Sequence, residues 1–95
     1  MAAYLVGRTR VTDPEAYGRY TAATASLLAK FDARLKAATN EFEVLEGDEE
    51  REFVVIIEFD SVDAARTFYQ SEEYQAAKKL RENAAETTVL IVPGR

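Results

Sequence analysis

Glu52-Phe53-Val54-Val55-Ile56-Ile57-Glu58-Phe59 is the stretch on which the fold turns. Its residues are largely β-branched or aromatic, the types that suit a pleated, packed surface, so it reads as a strand. Alternation divides it into two faces, with Phe53, Val55, Ile57 and Phe59 on one and Val54 and Ile56 on the other. Both are apolar. A sheet face turned to water carries polar residues at alternate positions, so this strand calls for cover on both sides.

Downstream, Ser61 can cap a helix, with Asp63 well placed at its positive end and Ala64, Ala65, Phe68 and Tyr69 on its inner face. Ser71-Glu72-Glu73 resembles a second cap, so this helix is expected to break and restart. The restarted piece holds Tyr74, Ala77 and Leu80, with Lys78, Lys79 and Arg81 toward its C-terminal end. A final strand runs from Thr87 to Val92 and stops at Pro93-Gly94; Val89 and Ile91 oppose Leu90 and Val92, so it too is apolar on both faces.

Upstream, Gly47-Asp48 marks a turn. A weaker strand precedes it, starting near Arg34, interrupted around Thr39-Asn40 and continuing through Phe42, Val44 and Leu45. Before that lies a helix opened by Thr12-Asp13-Pro14-Glu15. Thr12 and Glu15 have capping-box spacing, and Pro14 sits in the first turn, where its missing N–H costs nothing. Its stripe of Tyr17, Tyr20, Thr24, Leu27, Leu28 and Phe31 predicts a helix to about Lys30. Residues 3–11 alternate as a strand, with Leu5, Gly7, Thr9 and Val11 opposite Tyr4, Val6, Arg8 and Arg10; Gly7 is expected to mark a bulge or a close backbone approach.

The order βαββαβ is the split-βαβ, ferredoxin-like α+β arrangement, a four-stranded antiparallel sheet with its helices on one face. The helices can cover only that face. The apolar residues on the other face call for a second copy of the chain, and a homodimer is the economical expectation.

The chain has 95 residues, which suits one domain spanning 1–95. Its 47% hydrophobic and 31% charged residues are ordinary for a globular protein. The net charge of -5 disfavours binding to nucleic acid or to anionic membrane surfaces. There is no Cys and no His, which removes thiolate nucleophiles, Fe–S clusters, His general bases, Ser-His-Asp triads and most zinc sites; no metal and no cofactor is expected. No apolar run is long enough to span a membrane, and Met1 to Val6 lacks the basic flank of a signal peptide, so a cytoplasmic location is expected.

Several motifs together resemble the "domain of unknown function 1330" family over nearly the whole chain. They are Asp13-Pro14-Glu15-x-Tyr17 with Tyr20, Lys30-Phe31-x-x-Arg34, Val44-Leu45-Glu46-Gly47, Val55-Ile56-Ile57-Glu58-Phe59, and Tyr69-x-Ser71-x-Glu73-Tyr74-Gln75 with Arg81 beyond. Asp32-Ala33 stands where the family often has Gly-Gly, Ala38-Thr39-Asn40 where it has Arg-Gly-Gly, Phe68 in place of Trp and Asp60 in place of Pro. The resemblance implies a dimeric α+β barrel and no settled activity. Related barrels include cofactor-free monooxygenases and small-molecule isomerases, a fold-level analogy.

Such barrels hold a cleft between sheet and helices. Tyr17, Tyr20, Arg34, Glu58, Tyr69, Tyr74 and Arg81 are the residues expected to line it. A carboxylate desolvated on an apolar central strand has a raised pKa, so Glu58 could act as a general base with a Tyr or Arg stabilising an oxyanion. Plainer readings stand beside this one. Glu58 could pair with an arginine, the tyrosines could pack the core or an interface, and Arg34 and Arg81 could form ordinary ion pairs rather than clamp a carboxylate. Glu41, Glu43, Glu46, Asp48, Glu49, Glu50 and Glu52 lack calcium-loop spacing and read as a solvated hairpin tip. Two functions are therefore expected to compete. One is a homodimeric module binding a small organic molecule; the other is a cofactor-independent enzyme, monooxygenase- or isomerase-like, built on Glu58.

Overall fold

Asp13 opens the first helix. Its carboxylate accepts the Ala16 N–H at 3.2 Å, and Pro14 follows in the first turn. The cap is thus one residue later than the Thr12 box. Asp13 has the extended backbone that a capping side chain needs to reach back over the first turn. The computed structural model, which describes residues 1–49 and 51–95, orders the elements as β1 (Ala3–Val11), α1 (Pro14–Leu28), β2 (Arg34–Thr39), β3 (Phe53–Phe59), α2 (Val62–Gln70), α3 (Glu72–Lys79) and β4 (Ala85–Pro93).

The end of α1 explains a position at which the chain departs from the family it resembles. Ala33 N–H bonds to the Leu28 carbonyl at 2.8 Å and Asp32 N–H to that of Ala29 at 3.2 Å, the paired bonds of a Schellman ending. The residue at its turning point needs a left-handed backbone, and Asp32 has φ 54°. Glycine adopts this conformation without the cost a side chain incurs, which accounts for the family's Gly there.

The second helical region breaks where expected. Ser71 caps both pieces: its hydroxyl donates to the Phe68 carbonyl at 2.7 Å and accepts the Tyr74 N–H at 3.1 Å. Ser61 caps α2 by accepting Ala64 N–H at 3.0 Å.

The strands form one antiparallel sheet in the order β2-β3-β1-β4. β1 runs through the centre in unbroken register, with Gly7 opposite Val55 on one side and Val89 on the other. No bulge occurs at Gly7, and a Cβ there would meet only the Val55 Cβ at 3.9 Å, an ordinary contact. The irregularity lies in edge strand β2 instead, between Leu35 and Ala37. β2 also ends at Thr39 rather than continuing to Leu45. The Thr39 hydroxyl accepts the Glu41 N–H at 2.9 Å, a local turn that takes the backbone out of the ladder. In the following connection Val44 and Leu45 are exposed. Glu49 is not part of a freely solvated tip: it is bonded to Arg8 at 2.6 Å and to the Arg51 N–H at 3.0 Å. Glu50 lies outside the described residues.

All three helices pack on the sheet face that carries Leu5, Ile57 and Phe59, giving two layers with Cα extents of 31 × 30 × 16 Å. Phe59, Phe68 and Tyr74 are fully buried at its centre. The Phe68 ring lies 5.3 Å from Phe59, 5.1 Å from Tyr74 and 5.4 Å from Phe31. The opposite sheet face carries no helix, and on it Leu90 and Val92 remain 43% and 40% exposed. No helix among the described residues is long and apolar enough to cross a membrane.

Candidate functional site

The stripe on α1 does not close fully onto the sheet. Tyr17, Tyr20, Thr24 and Leu28 recur at helical spacing and form one wall of a cavity of about 250 Å³, whose other walls come from the sheet and the Phe68–Tyr74 region. The sheet contributes Gly7 and Thr9 from β1, Val55 and Ile57 from β3, and Thr87 and Val89 from β4. Because Gly7 has no side chain, it leaves open the space that any other residue on this face would fill.

The polar groups in this apolar space are hydroxyls. Tyr20 and Tyr74 are hydrogen-bonded oxygen to oxygen at 2.8 Å, with their rings edge-on at 6.3 Å. The Arg81 guanidinium lies 5.1 Å over the Tyr20 ring, and its positive charge acts on both phenols. Burial pushes the Tyr74 phenol well above the ordinary 10.0 of tyrosine; Tyr20 adds to the rise and Arg81 opposes it. Tyr17 stands 5.4 Å from Tyr20. Burial raises its pKa as well, against the lowering effect of Thr9. Thr9 is 1% exposed, and its hydroxyl is 3.4 Å from that of Thr87. Tyr17 and Tyr74 therefore stay protonated at neutral pH, which suits them to hydrogen bonding rather than to taking up protons.

The structure brings four of the seven expected residues together. Tyr17, Tyr20 and Tyr74 line the cavity, and Arg81 lies over the Tyr20 ring without entering its walls. Tyr69 packs 5.1 Å from the Tyr74 ring, but its hydroxyl accepts from Lys78 at 2.8 Å and takes no part in the lining.

Arg34 and Glu58 lie elsewhere. They are register partners on the helix-free face, where the Arg34 guanidinium donates to Glu58 at 2.9 Å and to Asp60 at 2.9 Å, with Lys36 3.8 Å from Glu58. The expectation of a desolvated, proton-hungry Glu58 in the cleft is thus corrected: the hydrogen bond from Arg34 holds its carboxyl below the usual 4.5. A residue two positions from Ile56 must share Ile56's face, and that face is the one away from the helices.

Sequence reasoning missed Gly7, Thr9, Thr24 and Thr87 as lining residues. A signal was present for two of them, since Gly7 and Thr9 break an otherwise apolar inward row that begins at Leu5.

A four-stranded antiparallel sheet in the order β2-β3-β1-β4 with its helices on one face defines the ferredoxin-like α+β class. Within it, the chain belongs to the "Domain of unknown function (DUF1330)" family, whose model matches residues 2–95. Among solved structures it is similar to a protein of unknown function from Rhodopseudomonas palustris, with TM-score 0.78 and 19% identity over 99% of this chain and 82% of the other. It is also similar to a dimeric ferredoxin-like protein of unknown function from Bacteroides fragilis, with TM-score 0.68 and 15% identity over 98% and 96% of the two chains. A third similar fold is SnoaB, a cofactor-independent oxygenase from Streptomyces nogalater, with TM-score 0.67 and 17% identity over 99% and 93%. No curated protein sequence matches the chain.

Proposed function

We propose that two copies of this chain pair through the helix-free sheet face and that each binds a small, largely apolar organic molecule in its cavity. The observation that carries the reading is the cavity itself, about 250 Å³ with walls of aliphatic and aromatic side chains and a few hydroxyls. Engineered apolar cavities of about 150 Å³ take up benzene, whereas drug-sized ligands fill roughly 300–1,000 Å³. The size suits a molecule of one or two rings.

Pairing is supported by the chain's surface. It exposes 6178 Å², against about 5,500 Å² expected for a self-contained monomer of this mass. Val6, Val54, Ile56, Leu90 and Val92 share the parity of the helix-free face. Similar folds from Bacteroides fragilis, Thermobifida fusca and a Jannaschia species are described as dimeric. The competing enzyme reading relied on Glu58 as a base in the cleft and loses it, because Arg34 keeps that carboxylate ionised on the other face.

Native mass spectrometry of freshly purified, untagged protein tests both parts. A dimer carrying extra small-molecule mass is the expected result. A bare monomer would contradict the pairing. Gly7→Val provides the control for the cavity: it should keep the fold and lose the adduct, since its added methyl groups occupy the open space beside Val55.

A further inference from the structure

Counting hydrogens in the phenol pair reveals an unspent donor. Tyr74 is 1% exposed, so its hydroxyl hydrogen has to reach a protein acceptor. The Tyr20 oxygen, 2.8 Å away, is the one the structure supplies. Arg81, over the Tyr20 ring, carries only donors and cannot accept. The bridge therefore runs from Tyr74 to Tyr20, and the hydrogen of Tyr20 has no acceptor among the described residues. Tyr20 lines the cavity. So does Thr24, one turn further along α1, whose hydroxyl oxygen is buried with no hydrogen-bond partner. Two hydroxyls thus line one apolar space with bonding capacity left over, and an unmade bond in such surroundings is costly.

We propose that the cavity selects a one- or two-ring molecule carrying a neutral acceptor oxygen, such as an aromatic ketone, and that the Tyr20 hydroxyl donates to that oxygen. Tyr74 is a positioning residue. Its hydroxyl loads the Tyr20 oxygen from outside and leaves the Tyr20 hydrogen free for the cavity, and a chain of such bonds strengthens the last donor. An amine would bring further donors to a site that already has one too many. This inference rests on the cavity being a binding site and specifies what that site recognises.

Acetophenone and α-methylstyrene test it, because they share a shape and differ in C=O against C=CH2. Binding of each to wild type, Tyr20→Phe and Thr24→Val is measured by isothermal titration, with circular dichroism to verify the fold. Tyr20→Phe should weaken acetophenone by about fivefold, the ordinary contribution of one net hydrogen bond, and leave α-methylstyrene unchanged. Thr24→Val should act in the same selective direction, and carries the test if Tyr20→Phe fails to fold. Equal losses for both compounds, or no loss for either, would overturn the acceptor-oxygen proposal while leaving the cavity as a binding site. Failure of both compounds to bind wild type would overturn the binding reading itself, and this proposal with it.

Discussion

Glu58 shows how a single side chain's surroundings set its chemistry. Its carboxyl is held below the usual 4.5 by the Arg34 hydrogen bond, with Lys36 assisting. A group whose folded pKa is depressed adds stability above its unfolded pKa and loses it as pH falls through the folded one. Wild type should therefore exceed Glu58→Gln in stability at neutral pH, and the gap should close as pH drops below 4.5. Urea denaturation across that range reads it, and a gap independent of pH would contradict the assignment. Tyr17 and Tyr74 behave in the opposite sense. Their folded pKa values are raised by burial, so the stability they add is intact below 10.0 and is lost as pH climbs above it. Of the five tyrosines, these two should ionise only together with unfolding, seen as a late phenolate absorbance step coincident with loss of circular dichroism. Phenolate formation by all five before any unfolding would be incompatible with the buried network.

At the scale of elements, capping was legible and strand length was not. Ser61 and Ser71 act at short range, through a side chain reaching a backbone N–H three residues on, and the sequence displays that spacing. Ser71→Ala removes the shared cap of α2 and α3 and should cost about 1–2 kcal/mol in urea denaturation. Asp32→Gly should instead stabilise by about 1 kcal/mol, because the α1 ending requires a positive φ that glycine adopts without strain. The early end of β2 was beyond sequence reading. Phe42, Val44 and Leu45 look like strand residues, but a turn closed by Thr39 removes them from the ladder, and no pattern of hydrophobicity reports a side-chain hydrogen bond.

At the scale of the whole molecule, the two faces of the sheet divide its work. One face packs the aromatic core and leaves the cavity. The other carries Leu90 and Val92 half-exposed on one edge strand and the Arg34–Glu58–Asp60 ion pairs toward the opposite edge. Leu90→Lys places a charge on the proposed pairing surface and should convert the dimer to a folded monomer in light-scattering measurements. A stable dimer from that variant would place the interface elsewhere.

The sequence by itself determined the element order, the Ser61 and Ser71 caps, the parity of β1, β3 and β4, and the apolar character of both faces of β3 and β4. These follow from interactions among residues close together in the chain. Parity even contained the position of Glu58, which shares a face with Val54 and Ile56, though the chemistry of a carboxylate among apolar residues pointed toward the cleft. Only the tertiary structure decided that α1 stands off the sheet far enough to leave a cavity, that Gly7 and Thr9 border it, and that Tyr20 and Tyr74 share a hydrogen bond with Arg81 over the Tyr20 ring. The reason is distance along the chain: Tyr20 and Tyr74 are 54 residues apart, and only the packing of α1 against α3 brings their hydroxyls to 2.8 Å.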